Sequence, residues 1–176
     1  MKLFSITGLL LFLTLLLPAS LKAQTVSQPD SILNLMTGEW LLEGTIDGQK
    51  TTHDVEVQRV LNGQYIQIKE VSREKDETGN PQYQALVYLC WEKPKQQYSC
   101  LWLDNTSNAG LSNGITGIAK LDGNRIGLVF KFSESVKFHT TFLFEPATGT
   151  WQWQMDSEEK GEFQPFARLV MRRAQN

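Results

Sequence analysis

The sequence predicts an antiparallel all-β domain closed into an up-and-down barrel of about eight to ten strands, and three observations carry that prediction. Segment after segment alternates apolar with polar residues and is rich in β-branched or aromatic side chains. Short turn signals separate nearly every consecutive pair: Asp47-Gly48, Asn62-Gly63, Gly79-Asn80-Pro81, Pro94, Asp122-Gly123-Asn124, Thr148-Gly149 and Lys160-Gly161. Helical periodicity is confined to one short stretch near residue 31. A long run of hairpins can hide its edges by closing on itself, which makes a barrel the simplest architecture. The competing two-sheet sandwich needs a long crossover, and DNTSNAGLSN, residues 104–113, is the longest candidate.

Taken in order, the chain begins with Lys2, an apolar run from Leu9 to Leu17, Pro18, and then Leu21-Lys22-Ala23. That is the pattern of a secretory signal peptide over 1–23, too short for a membrane span. A polar tether over 24–31 and one domain over 32–176 follow, and 41% hydrophobic residues suffice for a real core. SILNLM reads as a single helical turn capped by Asp30 or Ser31. Strands are expected near 39–46, 53–60, 64–73, 82–91, 97–104, 114–121, 125–132, 136–145, 150–156 and 163–172. The 104–113 connection is either a lid over a barrel mouth or a solvated loop. Without Lys2 and Lys22, the 17 basic residues fall to 15 against 19 acidic ones, a formal charge of −4 for the mature chain. Such a balance argues against nucleic-acid partners.

The segment Gly38-Glu39-Trp40 opens the first strand, where a glycine lets the chain turn sharply and Trp40 can plug one end of the core. Trp40, Leu42, Gly44 and Ile46 share a face. With GEWLLEG, RVLNGQYI, LVYLCWEKPKQQYSCLWLD, EPATGTWQW and FARLVMRR in succession, the chain resembles lipocalin-like (calycin superfamily) secreted bacterial domains of unknown function. The resemblance implies a barrel whose lumen can hold a small apolar molecule, closed at one end by Gly38 and Trp40, with a last-strand arginine, Arg168, Arg172 or Arg173, stacked over the indole. It implies no reaction and no cofactor. Related barrels include haem-binding nitrobindin-like proteins, in which one histidine ligates iron. His139 would take that place if it pointed inward, and is otherwise a histidine hydrogen-bonded on its strand.

Cys90 and Cys100 lie on opposite arms of one hairpin, and in an oxidising compartment they are expected to form a disulfide worth roughly 2–3 kcal/mol. His53 and His139 are the only histidines, and neither has metal-ligand spacing to another ligand type, so no metal site is expected. Glu158-Glu159 and Asp76-Glu77 read as solvated turn charge. Glu70 shares parity with Ile66 and Ile68, so it is either a buried ligand anchor or a carboxylate near a strand end that reaches water.

The aromatics are the strongest functional signal. Trp151 and Trp153 share one strand face, Tyr98 and Trp102 another, and Tyr88 is expected to approach the latter pair. They are either core packing or, with Glu70, a lumen wall. No nucleophile elbow, acid–base pair or metal motif is present. The expected function is therefore non-catalytic: a secreted or periplasmic protein binding a small hydrophobic or amphipathic molecule. A filled-core interaction domain and a barrel isomerase or hydrolase using Glu70 are the alternatives.

Overall fold

The computed structural model describes residues 31–106, 111 and 116–175. The expected signal segment, and most of the expected tether, lie outside these residues. One short helix, α1 (Ser31–Met36), precedes ten strands: β1 (Gly38–Ile46), β2 (Gln49–Val60), β3 (Tyr65–Ser72), β4 (Gln84–Glu92), β5 (Gln97–Asp104), β6 (Thr116–Asp122), β7 (Arg125–Lys131), β8 (Val136–Glu145), β9 (Thr150–Glu159) and β10 (Glu162–Arg173). Each strand pairs antiparallel with the next, and β1 pairs with β10, so the sheet is a closed barrel. The expected all-β, up-and-down architecture is the one observed, and no long crossover of a sandwich is needed. β1 and β2 meet at Asp47-Gly48 (φ 47° and 73°) and β9 and β10 at Lys160-Gly161 (φ 53° and 87°). Two positive φ values in a two-residue turn match the twist of the flanking strands, which is why β2 starts earlier and β9 ends later than alternation alone suggests.

Closure depends on the start of the chain. Trp40 is 2% exposed and its indole Nε1 donates to the Met36 carbonyl at 2.7 Å, which ties α1 across the barrel end. The Arg173 guanidinium lies 3.9 Å from the Trp40 ring centroid and donates to the carbonyls of Thr37 (2.6 Å) and Leu35 (3.3 Å) at the end of α1. These last-turn carbonyls have no partner within the helix, so the cation satisfies them while stacking on the indole. Gly38 explains the first letter of the motif: its φ is +124°, and a Cβ there would sit 2.1 Å from Arg173 Nη1. Of the three arginines considered for this role, Arg173 fills it. The other two, Arg168 and Arg172, are not at the closure: Arg172 points outward to Glu43 (3.2 Å), and Arg168 donates to Asp156 (2.5 Å) and the Met155 carbonyl (2.8 Å).

Strand register corrects two further expectations. In the β4–β5 hairpin Cys90 faces Ser99 and Cys100 faces Leu89. Because side chains alternate faces, Cys100 points into the core while Cys90 points out, and both thiols are free. The Cys90–Cys100 disulfide is therefore absent. Tyr88 lies on the outer face with Cys90, where its hydroxyl accepts from Gln67 Nε2 at 2.8 Å, so it does not join Tyr98 and Trp102.

Trp40→Ala should destabilise the fold by about 3–5 kcal/mol, the range for removing a buried indole, measured by chemical denaturation. Labelling of the denatured, non-reduced protein should find two reactive thiols per chain, with Cys90 reacting before Cys100 in the native state because only Cys90 reaches the outer surface. A chain with no free thiols would overturn the assigned register.

Candidate functional site

The lumen is divided along its length by side-chain size. Toward α1, Met36, Trp40, Tyr98, Phe142, Trp151 and Trp153 are buried together and fill the barrel. Toward the opposite mouth, where the β1–β2, β3–β4, β7–β8 and β9–β10 connections lie, the inward positions shorten to Thr51, Ser72 and Thr140. Ten strands make a wide barrel, and short residues cannot span it. A cavity of about 690 Å³ remains there, walled by these residues with His53, Glu70, Tyr83, Trp102, Phe130, Phe138 and Met155, with the more exposed Phe132 and Phe166 also lining it.

One polar network crosses this cavity wall. On β2, His53 shares the inward face with Val55 and Val57; on β3, Glu70 shares it with Ile66 and Ile68. The β2–β3 register sets Glu70 opposite Val55 and Ser72 opposite His53, a diagonal offset that long side chains close. His53 Nδ1 and Glu70 Oε1 form a very short hydrogen bond, with both residues 1% exposed. His53 Nε2 lies 2.7 Å from Thr51 Oγ1, and Thr51 donates to Glu74 Oε2 at 2.9 Å. Glu74 Oε1 accepts from the Thr52 amide at 3.0 Å. The Tyr83 ring stacks on His53, with centroids 5.5 Å apart, and the Tyr83 hydroxyl accepts from Trp102 Nε1 at 3.2 Å.

Proton positions follow from counting donors. Burial would raise the Glu74 carboxyl, but hydrogen bonds from backbone amides and Thr51 outweigh it and hold the group below its usual range, ionised. Thr51 has one hydroxyl hydrogen, given to Glu74, so its oxygen accepts from His53 Nε2–H. A single proton is then shared between His53 Nδ1 and Glu70 Oε1, and the pair is neutral as a whole wherever that proton sits. Burial pushes the Glu70 carboxyl above its ordinary value, opposed by the bond to His53. The second oxygen, Glu70 Oε2, is buried with no hydrogen-bond partner among the described residues. Leaving such an acceptor unmatched costs about 1–3 kcal/mol.

Of the residues singled out from the sequence, the structure brings Glu70 and Trp102 together at the cavity. Tyr98, Trp151 and Trp153 point inward but pack in the filled half, where Trp153 sits 5.8 Å from the Trp102 ring and 4.6 Å from Phe142. Sequence reasoning missed Thr51, His53, Glu74 and Tyr83. The signal for His53 was its parity with Val55 and Val57, combined with the Asn62-Gly63 turn that sets the β2–β3 register. Most of the 104–113 connection lies outside the described residues; Thr106 and Leu111 are at the cavity mouth.

His139 points away from the lumen, since Phe138 and Thr140 hold the inward positions of β8. That placement removes it from any role as an inward iron ligand. Its Nε2 lies 2.6 Å from Glu158 Oε2, and Lys137 Nζ donates to Glu158 Oε1 at 2.7 Å. Glu158 is thus a paired outer-face carboxylate near the end of β9 rather than free turn charge. Among the described residues, no group of three or more His, Cys, Asp or Glu side chains is placed to hold a metal, and no helix is long and apolar enough to cross a membrane.

No protein-family model matches the chain, and no curated protein matches it. Among solved structures, the crystal structure of Rv2717c from M. tuberculosis is similar, with a TM-score of 0.55 at 14% identity over 83% of this chain and 97% of that one. At this identity the likeness is one of fold alone.

Hydrogen bonds from Lys137 and His139 hold the Glu158 carboxyl below its ordinary 4.5. A lowered folded-state value stabilises the fold above the ordinary value, and the contribution is lost as pH falls through the folded one. Glu158→Gln should therefore lower the melting temperature at neutral pH, and the gap from the parent protein should close in acid below the ordinary carboxylate range. A gap that stays constant across the titration would refute the pairing.

Proposed function

We propose that the protein is an exported, lipocalin-like carrier that binds or sequesters a small hydrophobic or amphipathic molecule in the open half of its barrel. The cavity carries this reading. Its volume of about 690 Å³ falls within the roughly 300–1,000 Å³ of small-molecule sites, and its wall has the composition of such sites: mostly apolar and aromatic, with a few buried polar groups gathered in one place. A domain serving only as a filled-core interaction module has no use for a void of this size, and each unfilled volume in a core is destabilising. Export rests on the Lys2, Leu9–Leu17 and Ala23 pattern of the leader.

A second reading is supported by Glu70. A buried carboxyl with a raised pKa beside a histidine is an arrangement suited to proton transfer, so a barrel isomerase working on a bound substrate is the alternative. The two readings separate on the fate of the ligand: a carrier returns it unchanged after prolonged incubation, whereas an isomerase returns a product.

An apolar probe entering the cavity meets the Trp102 ring. Titration with isoprenoids, fatty alcohols and polycyclic probes should produce a saturable change in indole emission, with dissociation constants near micromolar, or about −8 kcal/mol. Trp102→Phe should remove most of that response while calorimetry still detects binding. If neither method finds saturable binding across the panel, the carrier reading is wrong.

A further inference from the structure

The polar groups of the cavity have a direction. Glu70, Glu74 and Asp104 contribute carboxylates to its wall, while the cationic side chain contributed is Lys50, in the β1–β2 hairpin at the mouth. His53 adds no charge beyond its pairing with Glu70, since one ring nitrogen shares a proton with that carboxyl and the other donates to Thr51. The His53–Glu70 pair is neutral, Glu74 is ionised, and Asp104 Oδ1 accepts from the amide and hydroxyl of Thr106 at 2.9 and 2.6 Å. An anionic head placed at this wall meets acceptors and negative charge.

Among the described residues, the wall lacks a donor for Glu70 Oε2. That atom is an acceptor in either state of the pair, since the shared proton sits on the opposite side, between Oε1 and Nδ1. Its exposed area is under 1 Å², so a terminal group that bonds to it must be compact, and a bulky head is excluded. A hydroxyl or a primary amine supplies the missing hydrogen bond. Apolar surface for the remainder of the ligand is already arranged beyond it, in Phe130, Phe138, Met155 and Phe166.

From the orphaned Glu70 oxygen in an acidic wall, we infer that the cavity selects molecules with an apolar body and a small hydrogen-bond-donating end, an alcohol or an amine, and rejects the ionised carboxylate of the same chain. This inference rests on the carrier reading and specifies the ligand class for that site. It separates this barrel from carriers that hold fatty carboxylates, because those need a cation where this wall presents an acceptor.

The test is isothermal titration of the full mature chain at neutral pH with three ligands of one chain length: 1-decanol, decylamine and decanoate. The expected result is that the alcohol and the amine bind at least tenfold tighter than decanoate. Glu70→Met, which keeps an unbranched side chain without the acceptor, should bring the alcohol and decanoate within threefold of each other. Decanoate binding as tightly as the alcohol to the parent protein would overturn the inference and leave the carrier reading standing. Absence of binding by all three would overturn both. The comparison among ligands on the parent protein decides the matter even if Glu70→Met fails to fold.

Discussion

Trp40 binds three separate parts of the chain at one point, and the closed barrel depends on that junction. Its indole nitrogen holds the last carbonyl of α1, its face carries the Arg173 guanidinium from β10, and its body is buried in the core beside Val55 of β2. A sheet of ten strands closes only if its first and last members meet, and β1 and β10 are the pair most distant in sequence. Loop entropy opposes bringing them together. The junction offsets that cost with burial of a large aromatic surface, a cation–π contact and hydrogen bonds to helix carbonyls that would otherwise lack partners. Gly44 completes the seam farther along, where a Cβ would come within 2.1 Å of the Arg168 carbonyl.

Once the end is sealed, the rest of the lumen follows from volume. Large side chains on β1, β5, β8 and β9 are buried together at the closed end, and short polar ones on β2, β3 and β8 nearer the mouth leave a cavity. The filled half has its own cost: Trp151 and Trp153 bury Nε1 groups with no partner among the described residues. In return, the aromatic block forms the floor of the cavity, with Trp153 against the Trp102 ring.

The buried polar network is held to one arrangement by its outermost member. Glu74 is fixed by the Thr52 amide and the Thr51 hydroxyl, which sets the Thr51 hydrogen, which sets the His53 tautomer, which leaves one proton for His53 and Glu70 to share. A neutral pair is far cheaper to bury than a separated charge. The chain of donors then ends at Glu70 Oε2, one acceptor beyond what the described residues satisfy. Every other carboxylate of the network has its donors, and that imbalance gives the cavity its chemical direction.

Much of this was legible in the sequence, and the reason is the period of the β-strand. Alternation located ten strands and put Trp40 with Leu42, Glu70 with Ile66 and Ile68, Tyr98 with Trp102, and Trp151 with Trp153 on shared faces, because parity within a strand is a local property; it did not say which way the Glu70 face turns. Turn residues located the hairpins for the same reason: Asp47-Gly48 and Lys160-Gly161 carry their backbone geometry in their own identities. Relations between strands were different. Whether Cys90 meets Cys100, which arginine covers Trp40, and whether Tyr88 or His139 faces the lumen all depend on register, and a shift of one residue exchanges the two faces. The meeting of His53 with Glu70 depended on register too, and the level at which aromatics stop filling the barrel depended on how ten strands stagger around its axis. The sequence determined which residues alternate and where the chain turns; only closure of the sheet decided which side chains share the cavity.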